Sequence, residues 1–532
     1  MARFAKPLSP PFAPLALLAC VVASAVTGAA CSDESGDDSP AGSAGAAAAQ
    51  APGASGTGTT DNPITGAGTT GGATAGTSSM PGAGTTGASG TSGASGAAGM
   101  TSSGAGGADP AGSGGAAGAS EAGSGGNTGG TDALPPLPDD KALPIIFVHG
   151  YAGSAAQYAS QKMRFVANGY PADRIIAFEH DGAGLDTTGY ANALDPIVDR
   201  ALSQFGASKV YLVGHSRGTF VSSTYLGTAA RAAKVAKYVA IDGSACPSQV
   251  PCIAPNQAMF SGQKHVEVCS SKESFAKQYE FLLGEAPKVV DVVLQASPIV
   301  ISGRAVNFPA NTGRVGASVK VFEIDSATGA RAKMEPEAMF TLAAEGTFGP
   351  VTVNPDKHYE LELASDGFTT HYYPQRFLRS NDFVRLTSGP SDSPSRTNTN
   401  KSANHSALIA MRMREWLASD VLEVSTQAAA GDQPVVNAIT AAGGAVNSIA
   451  YYVHDAAASP GDSSLAALPY FSTQPFQYGV DVFMPAAEPP TGVITVRNLP
   501  RGDMSKPQVL HAPNWPSSNH LVMLQFDDFP SE

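Results

Sequence analysis

The chain is 532 residues long and carries a formal net charge of −13, a balance that argues against a nucleic-acid-binding role. Its composition is uneven. From Ala41 to Gly130 it is nearly all Gly, Ala, Ser and Thr, with no aromatic residue between Phe12 and Phe147 and no Lys or Arg between Lys6 and Lys141. Such a stretch cannot bury enough apolar surface to offset its ordering entropy, so residues 32–140 read as a disordered linker. As a Gly-rich coil of about 90 residues its ends would lie about 50 Å apart.

Before the linker, Arg3 and Lys6 precede an apolar segment from Phe12 to Ala30, broken by Pro14. A charged start followed by a short apolar run reads as a signal segment (1–31), too short and too interrupted for a good membrane span. It ends in TGAACSD, which resembles a bacterial lipoprotein signal with Cys31 as the lipidated residue, although Gly28 stands where a Leu is usual. Ordinary cleavage after residues 28–30 is the alternative. The long linker suits a lipid tether, so the expected location is outside the cytoplasm, as an outer-membrane lipoprotein or an extracellular protein.

From Leu143 onward, apolar runs alternate with helical patterns. PIIFVHG, RIIAFEH, KVYLVGHS and AKYVAID read as buried strands. SAAQYASQKMRFVANGY, ALDPIVDRALSQFG, SRGTFVSSTYLGTAARAAKV and KESFAKQYEFLLG read as helices. This alternation predicts an α/β domain over 141–296, a mostly parallel sheet with helices on both faces. Near Ser297 the texture changes to alternating strands separated by Gly, Asn and Pro turns, among them IVISGRAVNFP, ASVKVFEID, GTFGPVTV and HYELELAS. These predict a β-sandwich or barrel over 297–388, followed by a further β-rich region over 389–532. ALIAMRMREWLA fits strand and helix equally.

The chemistry centres on Gly214-His215-Ser216-Arg217-Gly218, between a predicted strand and a predicted helix. Glycines on either side of Ser216 permit the sharp turn of a nucleophile elbow. In that arrangement an acid and then a histidine follow the serine in the chain. Asp242 closes the next strand, and parallel neighbours bring their C-terminal ends together; Asp181 and Asp291 are the rivals. His265 is the first histidine after Asp242 and precedes an amphipathic helix. The oxyanion site needs two backbone N–H donors, expected from Tyr151, after the first strand, and from Arg217. His149 is expected to support the loop that carries Tyr151.

Of the five cysteines, Cys246, Cys252 and Cys269 belong to this part. A Cys246–Cys252 bridge is one pairing that an oxidising compartment permits, with Cys269 left free. The cysteines lack the paired spacing of a zinc or iron site, and the expected chemistry calls for no cofactor and no metal. EHDGAGLDTTGYANALD (181–192 at its centre) is read either as a lid hinged at Gly182, Gly184 and Gly189 or as a plain surface loop.

PIIFVHGYAGSAAQY, LVGHSRGTF, RAAKVAKYVAIDG and KHVEVCSSKESFAKQYEFLLGEAP resemble α/β-hydrolase lipases. The likeness is greatest to an archaeal long-chain carboxylesterase with a C-terminal lipid-binding β-domain, and it continues through HYYPQRFLRSNDFVRL and PFQYGVDVFMP. The resemblance implies an α/β-hydrolase fold, a Ser216–Asp242–His265 triad, and a lipid ester of medium or long acyl chain as substrate. It departs in the short span between Asp242 and His265, and in the arginine at 217. A polyester depolymerase, another serine hydrolase and an inactive surface lipid-binding protein are the alternatives.

Overall fold

The computed structural model describes residues 134–530, apart from Ser297, Ser391, Ala430, Ala442, Ala445, Val446, Gly502 and Asp503. The expected signal segment with Cys31, and the expected linker as far as residue 133, lie outside the described residues. No helix among the described residues is long and apolar enough to cross a membrane.

The first sheet contains β1 (Ile145–Val148), β2 (Ile175–Phe178), β3 (Val210–His215), β4 (Val235–Ile241) and β5 (Cys252–Ile253), all parallel, in the order β2-β1-β3-β4-β5. Strands β1 and β3 are buried along their whole length, as near-continuous apolar runs between two helical layers must be. Helices α1 (Ala159–Ala167), α2 (Thr187–Phe205), α3 (Arg217–Leu226), α4 (Glu267–Ser270) and α5 (Lys272–Leu283) supply those layers. Phe165 of α1 with Phe275, Tyr279 and Leu282 of α5 pack under one face, and Leu194 and Val198 of α2 with Val221 and Tyr225 of α3 under the other. The chain order reverses between β1 and β3, and the crevice beyond such a reversal is where open α/β sheets bind ligands.

Two sequence readings need correction here. The long stretch SRGTFVSSTYLGTAARAAKV is not one helix: α3 ends at Leu226, and Gly227 and Thr228 separate it from a single turn, Ala229–Ala232. Helix α2 begins earlier than its apolar pattern suggested, at Thr187, because Asp186 caps it by accepting the Gly189 N–H (2.8 Å). Gly189 is therefore helical and cannot act as a hinge.

The β-rich part is three layers of sheet. A four-stranded sheet holds β6 (Ile299–Asn307), β7 (Thr312–Gly313), β10 (Thr347–Val353) and β13 (Asn381–Ser388). An eight-stranded sheet holds β8 (Ser318–Ile324), β9 (Ala338–Thr341), β11 (His358–Ser365), β12 (Phe368–Pro374), β14 (Ala407–Trp416), β17 (Ser448–His454), β18 (Gln477–Asp481) and β21 (His520–Gln525). The last sheet holds β15 (Val421–Gln427), β16 (Gln433–Asn437), β19 (Val493–Leu499) and β20 (Gln508–Pro513). The eight-stranded sheet thus draws strands from both sides of residue 389.

Its side chains alternate between two cores. Leu408, Ala410, Tyr451, Val453, Val522 and Leu524 pack with Leu422 and Val496 of the last sheet. Ile409, Ala450, Tyr452 and Met523, one residue out of step, pack with Ile299, Ile301 and Leu386 of the first β-rich sheet. A sheet covered on both faces explains why ALIAMRMREWLA showed no period: β14 is apolar on both sides, and it is a strand.

Candidate active site

The turn after β3 places Ser216 with φ 52° and ψ −123°, a left-handed conformation costly for a residue with a Cβ. Two contacts force it. A Cβ on Gly218 would lie 2.1 Å from the Val148 carbonyl oxygen, and one on Gly214 would lie 2.8 Å from the Gly218 oxygen. Helix α3 therefore starts hard against β1 and β3. The Ser216 N–H donates to Ile241 of β4 (2.9 Å), which fixes the turn between strands.

Asp242 follows β4, with its N–H donating to Pro255 (2.8 Å). Its carboxylate accepts the His265 Nδ1 (2.6 Å) and the side-chain amide of Gln257 (2.8 Å). Burial works against ionisation of Asp242, but the bonds from His265 and Gln257 outweigh it and hold the carboxyl below its ordinary value. With Nδ1–H committed to Asp242, Nε2 is the basic nitrogen of His265. The ring lies near-parallel to Phe476 (centroids 5.9 Å apart), and Ser216 and His265 line the same cleft.

The rival acids are occupied elsewhere. Asp181 accepts the Ala183 N–H (2.8 Å), and Asp291 pairs with Lys272 (2.9 Å). Cys246 and Cys252 form a disulfide that closes the loop between β4 and β5, while Cys269 is free and buried.

Tyr151 lies in the turn after β1, and Arg217 opens α3 directly after Ser216. The backbone comes very close there, since a Cβ on Gly150 would lie 2.9 Å from Ser216 Cβ. Neither the Tyr151 N–H nor the Arg217 N–H has an acceptor among the described residues. Arg217's guanidinium turns to the 181–186 loop, donating to the carbonyls of Gly184 and Asp181, and lies 5.6 Å from the Tyr151 ring centroid. The loop is pinned further by Gly182 N–H to Pro309 O and Ala152 N–H to Gly182 O (both 2.8 Å). His149 stacks on His180 (4.0 Å), bonds the Gly150 carbonyl through Nδ1 and accepts the His180 N–H. Burial pushes His149 down to about 3, so it is a neutral prop for this loop.

Several residues here carried no sequence signal. His215, buried and pushed down to about 3 by that burial and by the neighbouring His265, donates Nε2–H to the His265 carbonyl (2.9 Å) and is bonded by Gln157 at Nδ1. Beyond Ser216 and His265 the cleft continues along Ile409, Met411, Tyr452, Leu521 and Met523, all on one face of the eight-stranded sheet. Only the adjacency of strands far apart in the chain assembles this apolar wall.

A family profile described as alpha/beta hydrolase fold matches residues 144–264. The chain has an α/β-hydrolase fold. A profile for a lipase C-terminal domain matches residues 297–390, and a further C-terminal domain profile matches 395–530. The hydrolase fold with a lipase C-terminal domain supports a lipolytic hydrolase. Among solved structures, the chain is similar to an extracellular α/β-hydrolase from a Paenibacillus species (18% identity, 20% of this chain and 42% of that one, TM-score 0.15). It is also similar to the mature form of lipase BlEst2 from Bacillus licheniformis (20% identity, 31% and 56%, TM-score 0.17). The propeptide form of the latter is matched over 72% of this chain and 95% of that one, at 10% identity and TM-score 0.24. The chain thus spans about half the length of the first two.

Proposed function

We propose that this protein is a serine ester hydrolase that cleaves lipid esters of medium to long acyl chain through an acyl-enzyme on Ser216. One observation carries the reading: a serine in a strained elbow and an Asp-bonded histidine line one cleft, whose far wall is an apolar sheet face.

Ser216 Oγ attacks the ester carbonyl as His265 Nε2 takes its proton. The Tyr151 and Arg217 N–H groups stabilise the oxyanion, and Asp242 stabilises the imidazolium. The tetrahedral intermediate collapses, the alkoxide leaves with the proton from His265, and Ser216 is acylated. Water, deprotonated by His265, then attacks the acyl-enzyme and releases the fatty acid. The acyl chain lies along Ile409, Met411, Leu521 and Met523, where burial of each methylene is worth about 0.8 kcal/mol. The signal segment and linker extend the proposal to an exported enzyme, tethered to a membrane through Cys31.

The test is hydrolysis of p-nitrophenyl esters from acetate to palmitate by the wild type and Ser216→Ala, with fluorophosphonate labelling. We expect kcat/KM to rise with chain length to at least eight carbons, and Ser216→Ala to lose activity by 10⁴-fold or more together with labelling, on the order expected for a triad nucleophile. A wild type inactive on every ester, or an active Ser216→Ala, overturns the reading.

A further inference from the structure

His265 sits at the border of an ill-supported segment and a well-supported one. On its N-terminal side, residues 257–264 are mostly exposed, with Met259, Ser261 and Gly262 open to solvent. On its C-terminal side, residues 266–270 are buried. Val268 and Cys269 pack into the α/β core, where Gln161 and Arg164 of α1 donate to the Cys269 and Ser270 carbonyls (both 2.6 Å), while the peptide groups next to His265 meet β14.

Glu415, fully buried near the end of that strand, directs both carboxylate oxygens at the two peptide groups following His265. Oε1 accepts the Val266 N–H (2.5 Å) and Oε2 the Glu267 N–H (2.9 Å). A carboxylate bonded to two backbone N–H groups makes a charge-assisted, geometrically demanding contact. It spans 149 residues of sequence. Around it the same strand makes further ties. Arg414 Nε lies 2.8 Å from Glu267 Oε1, and the Ser270 hydroxyl donates to the Met413 carbonyl (2.6 Å). Arg501, between β19 and β20, pairs with Glu267 and donates to the Glu415 carbonyl (2.7 Å).

A carboxylate this deeply buried must be matched by donors, and here the donors are backbone groups of the segment carrying the proposed base. A misplacement of about 1 Å in a reacting group costs on the order of 10²-fold in rate. We propose that Glu415 is a positioning residue for catalysis: through the Val266 and Glu267 N–H groups it holds the His265 ring in line with Asp242 and Ser216. This rests on the triad reading given above. Its consequence is that the β-rich region serves the chemistry as well as the acyl chain, so even a small, water-soluble ester depends on it.

The test uses the full chain, the isosteric Glu415→Gln variant, and two substrates, p-nitrophenyl butyrate and palmitate. A glutamine amide presents an N–H₂ to one of the two backbone donors, so one bond is lost without loss of volume. The expected result is a kcat lower by about 10- to 100-fold on both esters, with KM within twofold of wild type. In histidine-labelled protein the His265 Nδ1–H signal, assigned by its absence in His265→Ala, should broaden or shift. Unchanged kcat in folded Glu415→Gln overturns the proposal, as does a loss confined to palmitate or carried by KM. Should Glu415→Gln fail to fold, Arg414→Gln takes its place: a threefold or greater fall in kcat on both esters supports the positioning role, and unchanged kcat overturns it. A wild type that hydrolyses neither ester overturns the triad reading instead. The positioning role of Glu415 is then judged by the His265 ring signal, and an unchanged signal in the variant overturns it.

Discussion

The turn carrying Ser216 is built from β3, α3 and the adjoining ends of β1 and β4, whereas the segment carrying His265 leans on Met413–Glu415 and Arg501 of the β-rich region. Close packing of backbone holds the elbow, and glycines are its main instrument. Side-chain charges arriving from another sheet hold the peptide groups that follow His265. The first kind of support is local and redundant. The second passes through a few bonds, so single substitutions should disturb it more selectively.

The largest expected effect comes from the bond that joins the two regions. Asp242→Asn keeps the shape of the acid but removes its charge and favours the wrong tautomer of His265. On the triad reading kcat should fall by roughly 10³- to 10⁴-fold with the fold intact. Steady-state kinetics at neutral pH check this, and near-full activity would move the acid elsewhere.

The next effect asks whether the elbow side also depends on the β-rich region, but for stability. Glu179, just beyond β2, is buried between Arg385 (Nε to Oε1 2.9 Å) and Arg304 (2.7 Å), and it accepts the Ala155 N–H. Burial alone would raise its carboxyl, but the two guanidinium groups and the N–H bring it down to about 2. Because the folded value lies below the unfolded one, this group stabilises the fold above about pH 4.5. That contribution is lost as pH falls from there toward 2. Glu179→Gln should cost about 3–5 kcal/mol by leaving buried arginines short of a partner. Its stability should also be less steep in acid than that of the wild type, as denaturant titrations at pH 7 and pH 3.5 would show. The kcat of the folded fraction should stay within a few-fold of wild type; a 100-fold loss would put Glu179 in the same class as Glu415.

A smaller effect breaks the elbow itself. Gly218→Ala places a methyl group 2.1 Å from the Val148 oxygen, so β1 and α3 must part. We expect a loss of about 3 kcal/mol in stability, measured by denaturant unfolding. A neutral result would show that the turn is looser than its contacts imply.

The same contrast explains what the sequence could reveal. Four of the five parallel strands, the strand-to-helix turn at Ser216 and the place of Asp242 after the next strand were legible because each rests on a pattern within a few dozen residues: a buried run, flanking glycines, a strand end; the two-residue β5 carries no such run. The pairing of His265 with Asp242 followed from chain order. Glu415 was not legible, because RMREW reads as an ordinary charged stretch until β14 is laid beside residues 265–270. Nor was the apolar wall, since Ile409, Tyr452 and Met523 become neighbours only when β14, β17 and β21 pair across a hundred residues. The start of α2 is a different case: the Asp186 cap was present as a signal, but three nearby glycines drew the reading toward a hinge.

The last prediction concerns the loop between the two regions. Cys246 and Cys252 close a seven-residue loop that starts after Asp242 and ends on the first residue of β5, and Gln257, just beyond β5, is the second group on the Asp242 carboxylate. By loop-closure entropy the bridge stabilises the fold by about 2 kcal/mol. The position of Asp242, however, does not hang on it. Its own N–H bonds Pro255, and Tyr238 and Val239 of β4 pair with Cys252 and Ile253 whether or not the sulfurs are joined. The double variant Cys246→Ala/Cys252→Ala should therefore unfold at lower denaturant, while its kcat falls by less than fivefold. If kcat fell tenfold with stability unchanged, the acid would be held by a covalent staple rather than by its strand. The contrast would then shift: of the three proposed triad residues, only Ser216 would owe its place to local packing of the α/β core.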